Sequence, residues 1–81
     1  MLLIKKKEIT NKKISYYYQP EFKGEMGVIS YLIEENKLEI EKLAEQDDEN
    51  IDSFRRHTLK YLRKFHKEKN YPEEKKICWG W

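Results

Sequence analysis

Two histidines, one cysteine and a pair of closely spaced glutamates are the side chains most able to build a reactive site in this 81-residue chain. His57 and His66 fall nine positions apart in a segment that reads as one helix. At about 100° per residue they end half a turn out of phase, so they point to opposite sides and cannot share a metal ion. With a single cysteine elsewhere, no zinc-type ligand spacing exists. Cys78 would be a nucleophile only with a base beside it. Its neighbours Ile77 and Trp79 instead give it a sheet position, where a thiol acts as a small packed hydrophobe. Glu39 and Glu41 share a strand face, the pattern of a solvated side. Gly24-Glu25-Met26-Gly27 has the spacing of a GxxG nucleic-acid clamp. It carries a glutamate where a polyanion needs neutral or basic residues, and it runs into a strand. The chain shows no Ser–His–Asp set and no glycine-rich phosphate loop before a helix. The expectation is a protein that is not an enzyme and holds no metal and no cofactor.

Two surfaces stand out once catalysis is set aside. Tyr16-Tyr17-Tyr18 must project rings to both faces of a strand, so at least one ring lies away from the principal core. Exposed rings on a sheet are recurrent contact and stacking platforms. Tyr17, Tyr31, Trp79 and Trp81 are the candidate interaction surface. The second surface is a basic row, Arg56, Lys60, Arg63 and Lys67, on one side of the helical segment. It is the candidate polyanion-binding face, and a solvated helix face has the same composition.

The elements that would position these residues follow from periodicity. Leu2–Ile9 reads as an edge strand, its lysines discouraging pairing with other chains. Thr10-Asn11-Lys12 is a turn. Lys13–Tyr18 alternates with Ile14, Tyr16 and Tyr18 on one face, a strand signal. Residues 19–27 hold a proline and two glycines and read as the longest loop. Val28–Ile33 and Leu38–Leu43, joined by Glu34-Glu35-Asn36-Lys37, read as a β-hairpin with a bulge near Lys42. A helix is expected over about Asp48–Lys69, with Asp47 or Asp48 as N-cap and Asn70 as a left-handed cap before Pro72. Its buried stripe would be Ile51, Phe54, Thr58, Tyr61, Leu62 and Phe65. Period two returns at Lys76–Trp81, a final strand. The predicted fold is α+β, one domain of 10.0 kDa. A four- or five-stranded, mainly antiparallel sheet carries one long helix on one face, in the order β-β-β-β-α-β.

Charge and composition bound the function. Charged residues make up 40% of the chain, well above the usual quarter, yet aromatics at 14% argue for a packed core over disorder. The net charge of +2 conceals a pattern: residues 1–18 carry +4, residues 19–53 carry −8 and residues 54–81 carry +6. No stretch reaches the roughly 20 apolar residues of a membrane span. The amino terminus has its apolar run before its lysines, the reverse of a signal peptide. A lone cysteine in a small, unstapled domain points to a reducing cytoplasm. The lysine- and isoleucine-rich, alanine-poor composition resembles that of proteins from AT-rich bacterial genomes.

One helix can shield only one face of the sheet, while Val28–Ile33 is apolar on both. The second face must be covered by Phe22 and Met26 of the loop, by the C-terminal tryptophans, or by a second copy of the chain. The functional expectation is therefore a protein-interaction or self-associating module, a homodimer in one form, that uses the sheet face without the helix. The alternative is a nucleic-acid binder that uses Arg56, Lys60, Arg63 and Lys67.

Overall fold

In the computed structural model, which describes residues 1–78, local chemistry sets each connection of the sheet. Thr10 Oγ1 accepts the amides of Lys12 and Lys13 at 3.1 and 3.0 Å, folding strand β1 (Leu2–Ile9) back onto β2 (Lys13–Pro20). The next reversal is tighter than a long loop. Glu21 and Phe22 both take left-handed backbone angles, φ 57° and 59°, and the Lys23 amide reaches the Pro20 carbonyl at 3.2 Å. Strand β3 (Gly27–Leu32) then pairs antiparallel with β2, and β4 (Lys37–Lys42) pairs with β3. The β3–β4 register slips between Val28 and Ile29, which leaves Glu41 as the extra residue of a bulge where the alternation breaks.

Helix α1 (Ser53–Glu68) follows, and β5 (Glu74–Ile77) returns antiparallel beside β1. The sheet order is β4-β3-β2-β1-β5, all antiparallel, with the predicted β-β-β-β-α-β succession. Ile14, Tyr16 and Tyr18 are fully buried on the helix side, with Leu2, Ile4, Ile29, Leu62, Phe65 and Ile77 around them. This is the expected α+β layering, with the helix over β2 and β3.

Four details differ from the sequence expectations. Strand β1 is interior, because β5 occupies its second edge; the lysine run gives no sign of that later partner. The helix begins at Ser53 instead of Asp48. Asp48 spends its acceptors on a turn: its carboxylate takes the Asn50 amide at 2.9 Å and its carbonyl takes the Ile51 amide at 2.9 Å. Ile51 is thus outside the helix and 60% exposed, and Arg55, Thr58, Leu62 and Phe65 are the buried helical residues. The left-handed cap falls on Lys69, φ 56°, one residue before Asn70. Finally, β5 ends at Ile77, so Cys78 lies just beyond the strand with its side chain exposed.

Candidate functional site

The helix-free side of the sheet is built from the second alternating set of each strand. Tyr17 stands on the central strand β2, 36% exposed. The register sets it between Val28 of β3 and Lys5 of β1, with Leu3 one step along β1. Ser15 and Ser30 oppose each other, and both are buried. Their hydroxyls lie 2.7 Å apart, and Ser30 Oγ donates to Glu41 Oε2. Lys13 Nζ lies 3.5 Å from that same carboxylate oxygen. The Ser30 hydrogen bond first, and Lys13 and Lys7 less strongly, hold the Glu41 carboxyl below its ordinary range. The periphery carries both signs: Lys5 faces Glu74 at 3.7 Å, with Lys76 and Glu39 further out.

Of the residues expected on this surface, only Tyr17 is described there. Tyr31 faces the helix, because it registers with Ile14 and Leu38 on the core side. It is buried, donates its hydroxyl proton to Asn36 Oδ1 at 2.7 Å, and lies 5.9 Å beneath the Arg63 guanidinium. Trp79 and Trp81 lie outside the described residues. Phe22, a candidate cover, is itself 36% exposed, in the turn where the Glu21 amide meets the Met1 carbonyl.

The basic row lies on the outer side of α1, opposite Thr58, Leu62 and Phe65, since these sit about half a turn away at about 100° per residue. Arg56, Lys60, Arg63 and Lys67 are all exposed, and Lys64 joins them. Two of the row are engaged: Arg56 Nε lies 3.3 Å from Asp52 Oδ1, and Arg63 reaches the Asn36 carbonyl at 3.4 Å besides covering Tyr31. Arg56, His57 and Lys60 line a shallow depression of about 210 Å³. Partial burial holds the His57 imidazole below its ordinary value, and Lys60, Arg56 and the chain's amino group push the same way. His66 points elsewhere, its ring 6.2 Å from Tyr31 and its Nδ1 3.4 Å from the Tyr71 hydroxyl. Among the described residues no three His, Cys, Asp or Glu side chains are grouped to hold a metal ion. No described helix is long and apolar enough to cross a membrane.

A third polar cluster went unread in the sequence. The Tyr18 hydroxyl donates to Asp47 Oδ2 at 2.6 Å and accepts the Ala44 amide at 3.0 Å. The Asp47 side chain is fully buried, and Arg55 Nε lies 3.2 Å from its Oδ2 at an angle too poor for a hydrogen bond. Arg55 Nη2 instead serves the carbonyls of Asp48, Glu49 and Ile51 at 3.0–3.2 Å. Gly27 makes room for this arrangement, because a Cβ there would stand 2.3 Å from the Tyr18 ring. The cluster locks loop 43–52 between sheet and helix; its groups face one another and leave no room for a substrate. An arginine in a helix otherwise rich in surface cations gives no pattern by which to foresee its burial.

No known protein family matches the chain, and neither a curated protein nor a solved structure shows significant similarity to it.

Proposed function

We propose that the chain is a non-enzymatic interaction module, binding a second copy of itself or another protein through the sheet face opposite α1. The observation that carries this reading is Tyr17: a large ring left 36% exposed on the central strand, beside buried Val28 and within a charged periphery. A central aromatic with a polar surround is the anatomy of a protein contact. Lys5, Lys13 and Lys76 alternate there with Glu39, Glu41 and Glu74. Both signs on one patch suit a twofold pairing, in which each lysine meets a glutamate of the other copy. The exposed thiol of Cys78, the chain's single cysteine, suits work in a reducing cytoplasm. Sedimentation velocity at rising concentration tests the reading. A dimer that forms with concentration and is lost in Tyr17→Ser is the expected result. A wild-type chain that stays monomeric into the high micromolar range, and behaves like Tyr17→Ser, removes the self-association arm.

A further inference from the structure

The outer side of α1 carries more positive charge than a solvated face needs. From His57 to Lys67 every outward-facing position within about 120° of arc is basic. Within Ser53–Glu68 the only acid is Glu68, at the last position. Lys60, Lys64 and Lys67 form no ion pair with any described residue. Arg56, Lys60 and Lys64 follow one another at four-residue steps, about 6 Å each, and the row from Arg56 to Lys67 is about 16 Å long. The acidic middle of the chain is placed so as not to cancel this row. Asp47 is buried against Arg55, Glu41 is taken by Ser30 and Lys13, and loop 43–52 lies at the amino-terminal end of the helix. Lys60, Lys64 and Lys67 lie toward the other end.

We infer that the outer face of α1 binds the phosphodiester backbone of nucleic acid, one phosphate seated in the Arg56–His57–Lys60 depression and its neighbours along Lys64 and Lys67. One nucleic-acid strand presents about five phosphates over the length of this row. A lipid surface would require apolar side chains among the cations, and the apolar side of α1 is turned into the core. The contact is sequence-independent, since it reaches phosphates and not base edges. Of the three arginines able to read guanine, Arg55 is buried and Arg63 lies over Tyr31.

The test is fluorescence anisotropy with a mixed-sequence single-stranded oligonucleotide over a range of salt. Four contacts predict a log–log slope of about −3. Lys60→Gln, Lys64→Gln and Lys67→Gln should each make it shallower by about 0.7, and the triple variant should bind several-fold more weakly at low salt. Glutamine is a good helix former, and circular dichroism confirms that the variants remain folded. Lys76→Gln, on the sheet, should leave the slope unchanged, as should Tyr17→Ser, so failure here is separate from failure of the sheet-face reading. No binding at the lowest salt overturns the proposal. A slope indifferent to the triple variant overturns it too, as does polyglutamate displacing the oligonucleotide at equal charge concentration.

Discussion

Asp47 and Arg55 are buried charges with few substitutes for each other. With Asp47→Ala the Arg55 guanidinium keeps its three carbonyls but loses its counter-charge, and Tyr18 loses its acceptor. Breaking such a pair costs about 3–5 kcal/mol, against about 1–3 for the hydroxyl removed by Tyr18→Phe. Urea titration should rank the variants in that order; an Asp47→Ala midpoint equal to wild type would show the pair to be idle. The buried tyrosines also set an alkaline limit. Burial pushes the Tyr16 phenol up to about 12, helped by Glu73 and Tyr71, and pushes Tyr18 up further. Unfolded tyrosines lose their protons near pH 10, so between pH 10 and about 12 the folded chain holds protons that the unfolded chain has released. Stability is then fully present below pH 10 and falls above it, on the order of 1 kcal/mol per pH unit for each ring. Tyr16→Phe should flatten that fall, as read from denaturant midpoints across the range.

The helix shows where periodicity succeeds and where it stops. Leu62 and Phe65 lie where the apolar stripe puts them, but the stripe's centre is turned toward Arg55 and Thr58. Hydrophobic spacing cannot announce a buried arginine, nor a threonine that satisfies its hydroxyl on the Phe54 carbonyl at 2.8 Å. Leu62→Ala, at a fully buried position, should therefore cost about 2–5 kcal/mol, and Phe54→Ala, at a half-buried one, clearly less. Equal thermal shifts would contradict this orientation of α1. The cap gives a prediction of opposite sign. Lys69 holds a left-handed conformation that a side chain disfavours, so Lys69→Gly should raise stability by about 1 kcal/mol. The strands were more legible, because Ile14, Tyr16 and Tyr18 alternate cleanly and Glu41 breaks the pattern where the bulge falls. Tyr31 was not legible: Val28–Leu32 is apolar on both faces, and only pairing with β2 decides which set meets the helix.

At the scale of the whole molecule, strand order decides which regions hold longest. Strand β2 is hydrogen-bonded on both sides at the centre of the sheet, whereas β4 has one partner and an exposed outer edge. Native-state hydrogen exchange should find the slowest amides in β2 and the fastest among strands in β4, with loop 43–52 held back only near Asp47. Uniform protection across all five strands would refute that gradient. The pairing of β1 with β5 also bears on how the chain is made. Leu2 lies beside Ile77, 75 positions later, so at about 5–20 residues per second the ribosome needs about 4–15 s to deliver β1's second neighbour. Through that interval β1 is a temporary sheet edge, open to strands of other nascent chains. Lys5, Lys6 and Lys7 sit on this edge, and charge there deters such pairing. Lysines that look superfluous beside a finished β5 are thus a safeguard for the polypeptide during its own synthesis.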